Sequence, residues 1–106
     1  MVISLTKNNV KQEVEQATKP VIVDVYASWC GPCMHMKPIF EDIAKEYSAA
    51  YTFAELNVDE SRELAIAYGV TSVPTFIFIN KNEIKGKVTG TMSKEDFVEK
   101  MQELLA

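Results

Sequence analysis

The sequence predicts an α/β protein with a central mixed β-sheet and helices on both of its faces. Strand-like and helix-like patterns alternate along the chain in the order βαβαβαββα. The run Val21–Tyr26 is β-branched and almost continuously apolar, as expected of a strand covered on both sides in a largely parallel sheet. The chain has 106 residues, of which 47% are hydrophobic, which is enough for one core and too little for two. We therefore expect a single domain over residues 1–106.

The first half of the chain should contribute three strands and two helices. Strands are predicted at residues 2–5, 21–26 and 51–58. A polar helix is predicted over residues 6–17, where apolar side chains recur at helical spacing: Val10, Val14 and Ala17. A longer helix is predicted from about residue 30 to residue 47, with an inward apolar stripe formed by Ile39, Phe40, Ile43, Ala44 and Tyr47.

The second half should add a helix, a hairpin and a final helix. A short helix at residues 59–68 should end at Gly69. Only four residues separate the strand candidates 75–79 and 84–88, so the two strands should pair antiparallel, because a parallel return needs a dozen or more residues. Ser93 and Asp96 resemble a capping box that opens the last helix, with Phe97, Met101 and Leu104 facing inward.

Composition and charge narrow the classes of function. The formal net charge is -4, from 15 acidic and 11 basic residues, and no dense block of Lys and Arg could follow a phosphate backbone. A nucleic-acid partner is therefore not expected. No apolar run approaches a membrane span, and residues 1–20 lack an apolar core of secretory length. We expect a monomeric, soluble, cytoplasmic protein without a membrane partner.

The two cysteines of the chain, Cys30 and Cys33, follow the central strand and open the predicted long helix. In a reducing cytosol, a closely spaced pair is better explained as catalytic, redox-active or metal-binding than as a structural disulfide. Two thiols separated by two residues can close a small ring with little backbone movement. A helix N-terminus also favours an anion. Cys30 should therefore be a partly ionised nucleophile exposed at the turn.

A metal site is a weaker interpretation of the same segment. Cys30, Cys33 and His35 offer three soft or borderline ligands, but a helix turns by about 200° between Cys33 and His35, which directs the imidazole away from the thiols. Covalent haem attachment needs a histidine directly after the second cysteine, and Met34 stands there. We predict no metal and no cofactor.

Two segments resemble those of a known family. Residues 23–33 read Val-Asp-Val-Tyr-Ala-Ser-Trp-Cys-Gly-Pro-Cys and residues 73–75 read Val-Pro-Thr. They are similar to the active-site and cis-proline segments of the thioredoxin family, and the element order matches along essentially the whole chain. The resemblance implies the thioredoxin fold and a thiol-disulfide oxidoreductase that reduces protein disulfides through a dithiol/disulfide cycle of Cys30 and Cys33. It also implies disulfide-containing client proteins, a thioredoxin reductase as electron donor and a cis bond before Pro74.

The expected chemistry needs two thiols and a proton acceptor. Cys30 should attack a substrate disulfide as the thiolate, and Cys33 should then attack the mixed disulfide and free the reduced product. Cys33 must first lose its proton. Asp24 lies in the apolar central strand, where burial would raise its pKa toward the working pH and suit it to accept that proton. The alternative is that Asp24 merely tops the strand and is solvated.

A shallow docking patch is expected beside Cys30. Trp29 could be an ordinary core residue, but next to the nucleophile we favour a partly exposed docking residue. If Pro74 is cis, the Val73 backbone would lie beside Cys30, free to pair with an extended substrate. Without the resemblance, a trans proline that starts a strand would be the ordinary expectation. The predicted patch consists of Trp29, Gly31, Pro32, Val73, Pro74, Thr89 and Gly90.

The chain departs from the family pattern at Met34 and Glu55, where many thioredoxins have lysine. Met34 leaves the nucleophile without a neighbouring positive charge. Glu55 would place a second carboxylate near Asp24, which should raise the pKa of Asp24 further.

Three functions remain open from the residues: a reductant, an oxidase or isomerase on the same fold, and a non-catalytic binding module. Pro32 has no N–H, and neither Gly31 nor Pro32 carries a charge, so the thiolate should be only modestly stabilised. This favours the reductant over the oxidase. The binding module needs no cysteines, so the pair beside Asp24 counts against it.

Overall fold

A five-stranded sheet forms the centre of the structure, a computed structural model that describes residues 2–106. The strands are β1 (Val2–Ser4), β2 (Val21–Tyr26), β3 (Thr52–Asn57), β4 (Thr75–Asn80) and β5 (Glu83–Thr89). Their order across the sheet is β1-β3-β2-β4-β5, with β1, β3 and β2 parallel and β4 antiparallel to both of its neighbours. The predicted mixed sheet, with Val21–Tyr26 as its central strand, is confirmed.

Helices cover both faces of this sheet, as predicted. The helices are α1 (Gly31–Tyr47), α2 (Arg62–Ala67) and α3 (Lys94–Leu104), preceded by one π-helical turn at Lys11–Glu15. Ile22 of β2 packs with Phe40 of α1 and Phe97 of α3 on one face. Val21, Val23 and Val25 lie in a second cluster with Val14 and Ala65 on the other face. This alternation explains why β2 is apolar at nearly every position.

The first helix is much shorter than predicted. Its apolar spacing was correct, since Val14 is buried, but the helical turn spans only Lys11–Glu15. Local hydrogen bonds hold the preceding residues in a turn. The Thr6 N–H donates to Asn9 Oδ1 over 2.8 Å, and the Asn9 amide donates to the Ser4 carbonyl over 2.9 Å. Such side-chain bonds compete with the helical ladder, so the helix begins late.

The short helix α2 also begins three residues later than the sequence predicted. The Asn57 side chain accepts the N–H of Asp59 over 2.9 Å and that of Glu60 over 3.3 Å, which holds these two residues in a turn after β3. The predicted end is close to the observed one, because α2 is followed by Gly69 with φ at +71°.

The hairpin and the last helix agree with the sequence. β4 and β5 pair antiparallel, and the two residues between them, Lys81 and Asn82, have φ angles of 54° and 60°. The Ser93 hydroxyl caps α3 by accepting the Asp96 N–H over 3.1 Å. No helix within residues 2–106 is long and apolar enough to cross a membrane.

Candidate active site

The two cysteines lie at the first turn of α1. Cys30 is the N-cap of this helix, and its Sγ accepts the Cys33 N–H over 3.2 Å. The two residues form a disulfide with their Cα atoms 5.2 Å apart. Cys30 therefore lies where the unpaired N–H groups of the helix favour negative charge on sulfur.

Cys30 is more buried than expected from the sequence. Its exposed fraction is 7%, against 1% for Cys33. The cause is packing, because the cysteine pair forms a small cluster with Ala27 that Val58 and Val73 also contact. The order of exposure still agrees with an outer thiol at Cys30 and an inner thiol at Cys33.

Asp24 lies inside the protein. Its exposed fraction is 3%, and its Oδ1 has no hydrogen-bond partner within residues 2–106. The pKa of Asp24 is raised from 3.8 to about 7, mainly by burial and also by the charge of Glu55, while the charge of Lys37 opposes both. The solvated alternative for Asp24 is thus wrong. The expected effect of Glu55 is confirmed.

Lys37 is a charged neighbour of this site that the sequence did not reveal. Its Nζ lies 3.2 Å from Glu55 Oε2 and 5.0 Å from the centre of the Tyr26 ring. Lys37 therefore places a cation near Asp24, where the sequence had pointed only to the carboxylate of Glu55. One signal was available, since Lys37 follows Cys33 by four residues and such residues share a helix face.

The loop before β4 lies against the nucleophile. The peptide bond between Val73 and Pro74 is cis, as the resemblance implied, and the Val73 carbonyl oxygen lies 3.8 Å from Cys30 Sγ. The N–H of Gly90 donates to the Pro74 carbonyl over 3.0 Å. Thr89 pairs with Thr75 in the hairpin. The structure therefore brings the Val73 loop together with the end of β5.

Trp29 extends into solvent beside the cysteines. It is 72% exposed, and its Nε1 donates to Asp59 Oδ2 over 2.9 Å, which fixes the direction of the ring. The core alternative for Trp29 is wrong. Gly31 and Pro32 are exposed as well.

A groove of about 490 Å³ lies between Trp29, the Val73 loop and α2. Arg62 and Ile66 of α2 line it, and Ile66 is 64% exposed. The sequence did not place α2 at this site. The one available signal was an isoleucine on the solvent side of a short helix.

The remaining candidates lie on the exposed side of α1. His35 is exposed on α1. No group of three or more His, Cys, Asp or Glu side chains in the described part of the chain is arranged to hold a metal ion. Met34, in the first turn of α1, is 37% exposed.

Comparison with known proteins agrees with this geometry. The thioredoxin family model matches residues 1–103. The chain is 37% identical to a thioredoxin of Chlorobaculum thiosulfatiphilum over 98 residues, which cover 92% of this chain and 91% of that protein. It is 36% identical to a thioredoxin of Alicyclobacillus acidocaldarius over 97% of each chain. It is also 41% identical to the chloroplastic M-type thioredoxin of Pisum sativum, over 81% of this chain and 50% of that one.

These matches extend over nearly all of the described fold and include the cysteine pair, which the structure places at disulfide distance. The chain therefore belongs to the thioredoxin family, and it is a thiol-disulfide oxidoreductase with Cys30 and Cys33 as its redox pair.

Proposed function

We propose that the protein works as a reductant of disulfides in client proteins, with Cys30 as the nucleophile, Cys33 as the resolving thiol and Asp24 as the acceptor of the Cys33 proton. The observation that supports this best is the order of burial along the site. Cys30 caps α1 and is the more exposed thiol, while Cys33 and Asp24 lie deeper, at 1% and 3% exposure. A substrate can reach the first sulfur, and water has little access to the other two groups.

The cycle transfers two electrons from the two thiols of this protein to the client disulfide. The Cys30 thiolate attacks one sulfur of the client disulfide, which forms a mixed disulfide and releases the first client thiolate. Asp24 takes the proton of Cys33. The Cys33 thiolate then attacks Cys30 Sγ, which releases the second client thiolate and leaves the Cys30–Cys33 disulfide. The client is reduced and the protein is oxidised by two electrons.

Asp24 suits its role because its pKa of about 7 lies near neutral pH. An acceptor works best when its pKa is close to the operating pH, since it is then partly ionised and still basic. A solvated aspartate, with a pKa near 3.8, would be ionised but a far weaker base for a thiol.

The docking surface is proposed to be the predicted patch around Cys30. Trp29 offers a broad apolar ring, and the Val73 backbone offers hydrogen-bonding groups to an extended client segment. Gly31, Pro32, Pro74, Thr89 and Gly90 complete the patch. Gly31 and Pro32 bring no bulky side chain to the approach to Cys30, and Gly90 contacts Pro74 directly.

Family membership implies disulfide-containing clients and a reductase that restores the dithiol form. We propose that this donor is a thioredoxin reductase, that residues 1–106 act as one domain and a monomer, and that the protein works in the cytoplasm. The net charge of -4 and the absence of a dense basic block favour protein clients over nucleic acid.

Reduction of insulin by the purified protein, with NADPH and with or without a thioredoxin reductase, tests the proposal. We expect insulin to precipitate and NADPH to be consumed only when both proteins are present. Oxidation of a reduced, unfolded substrate faster than reduction of insulin would instead make the protein an oxidase.

A further inference from the structure

Lys37 and Glu55 form a charge pair between α1 and β3, next to the proton acceptor. Their side-chain atoms Nζ and Oε2 lie 3.2 Å apart, and the two side chains are 38% and 21% exposed. The pair is therefore less hydrated than most surface pairs. The Lys37 Nζ also lies 5.0 Å from the centre of the Tyr26 ring, so the ammonium is directed toward the end of β2.

The sheet register places Glu55 beside Asp24. Glu55 of β3 is the direct partner of Asp24 of β2 in the parallel ladder. Side chains of paired residues in neighbouring strands extend from the same face, on strands about 4.8 Å apart. This is the face covered by α1, since Ile22 has the same parity as Asp24 and packs on Met36 and Phe40.

The charged and titratable groups around Asp24 are few. Glu55 is its partner on β3, Lys37 of α1 acts on it, and Tyr26, which has the same parity on its own strand, lies under the Lys37 ammonium. Glu41 of α1 acts on Lys37. On the β4 side, the register partner of Asp24 is Phe76, which is apolar. Lys37 and Glu55 are thus the two full charges with a direct effect on Asp24.

Their effects on Asp24 have opposite signs. A neighbouring carboxylate disfavours the ionised form of Asp24, and a neighbouring ammonium favours it. Partial burial disfavours the charged form of Lys37, but the hydrogen bond and charge of Glu55, with smaller effects of Tyr26 and Glu41, together outweigh it, so the pKa of Lys37 is raised. Lys37 therefore stays charged over the pH range in which Asp24 titrates.

We propose that Lys37 and Glu55 are a pair of positioning residues for proton transfer from Cys33 to Asp24, which they influence in opposite directions. This inference rests on the proposed role of Asp24 as proton acceptor. The proton still moves from the Cys33 thiol to the Asp24 carboxylate, and neither member of the pair takes it. Because the two charges are bonded to each other, loss of one leaves the other acting alone on Asp24.

Single and double variants give the inference a signed test. Glu55→Gln should lower the midpoint of the Asp24 titration by about half a pH unit, and Lys37→Gln should raise it by a similar amount, as expected for partly exposed charges. The double variant should return close to the parent. Lys37→Arg, which keeps the charge, should also stay close to the parent.

Lys94→Gln is the matched control. Lys94 has the same side-chain exposure as Lys37, 38%, and pairs with Asp42 and Glu46 away from the cysteines. The Lys94→Gln variant removes one positive charge from a similarly exposed ion pair and should leave the Asp24 midpoint unchanged. A purely structural loss of an ion pair would not separate Glu55→Gln from Lys37→Gln by sign.

Two measurements distinguish a failure of the proposed charge effect from a failure of the proposed role of Asp24. The first is the carbon-13 NMR titration of the Asp24 carboxyl in the oxidised protein, where no thiol titrates. The second is the pH profile of resolution, measured as release of a small thiol from a mixed disulfide on Cys30.

The inference is supported if, in both measurements, the midpoint is lower in Glu55→Gln and higher in Lys37→Gln than in the parent. Carboxyl midpoints that stay fixed, or move the same way in both single variants, overturn it. If the carboxyl midpoints separate as expected while the resolution profiles coincide with one another and with that of Asp24→Asn, the role of Asp24 fails and the inference fails with it.

Discussion

Replacement of Asp24 by asparagine should stabilise the folded protein at neutral pH while it slows the reaction. The carboxyl is 3% exposed, and its Oδ1 has no hydrogen-bond partner within residues 2–106. In the unfolded chain it ionises with a pKa of 3.8, and in the folded protein with a pKa of about 7. Between these values the unfolded state gives up a proton that the folded state retains, so the folded state loses stability as the pH rises.

The magnitude follows from the two pKa values. At about 1.4 kcal/mol for each pH unit, their difference corresponds to a destabilisation of about 4 kcal/mol, complete above the folded-state pKa of about 7. Asparagine removes this penalty but buries an amide, which costs about 1–3 kcal/mol if it lacks partners. We therefore expect Asp24→Asn to raise the free energy of unfolding by roughly 1–4 kcal/mol near neutral pH.

Denaturant melts of the oxidised parent and variant at several pH values test this expectation. At about pH 4 the variant should be no more stable than the parent, and less stable by up to about 3 kcal/mol if its amide lacks partners. The difference should then shift in favour of the variant until about pH 7 and stay constant above it. Insulin reduction by the variant should be slower near neutral pH. The change Asp42→Asn is a suitable control, because this exposed carboxylate pairs with Lys94 and its loss should not stabilise the protein.

A variant that is no more stable than the parent above pH 7, or a gap that does not depend on pH, would refute the reasoning. Asp24 would then be paired or hydrated in solution. Its high pKa would have no cause, and its role as proton acceptor would lose its physical basis.

Much of the fold could be predicted because its strongest signals are local. The strand Val21–Tyr26 was predicted with its observed bounds, since six consecutive residues suited to a buried strand leave few other assignments. The antiparallel hairpin followed from chain length alone. The helix predicted at residues 6–17 spans only Lys11–Glu15 in the structure, because hydrogen bonds of Thr6 and Asn9 compete with helix formation. The helical spacing of apolar residues cannot reveal such competition.

The active site, too, could be predicted only in part: residues in recognisable local segments were found, and residues that act through tertiary contacts were missed. The cysteine pair, Asp24 and the cis proline lie in contiguous segments that the family resemblance identifies. Lys37 was missed because its effect depends on how α1 crosses β3, where its ammonium reaches Glu55. The groove formed by α2 was missed for the same reason, since the position of Ile66 beside Trp29 is a tertiary contact.

Two further predictions concern the thiols themselves. Cys30→Ser should abolish disulfide reduction, whereas Cys33→Ser should still attack and then stall as a mixed disulfide; stable adducts through Cys33 in the Cys30→Ser protein, seen by mass spectrometry, would reverse the two roles. Met34→Lys should place an ammonium in the first turn of α1 near Cys30, so the thiolate of the reduced protein should form at lower pH. Because Met34 is 37% exposed and solvent screens such a charge, we expect a displacement of a few tenths of a pH unit in the ultraviolet thiolate absorbance. A curve that coincides with the parent's would show that position 34 points away from Cys30, and that the N–H groups at the start of α1 stabilise the thiolate nearly alone.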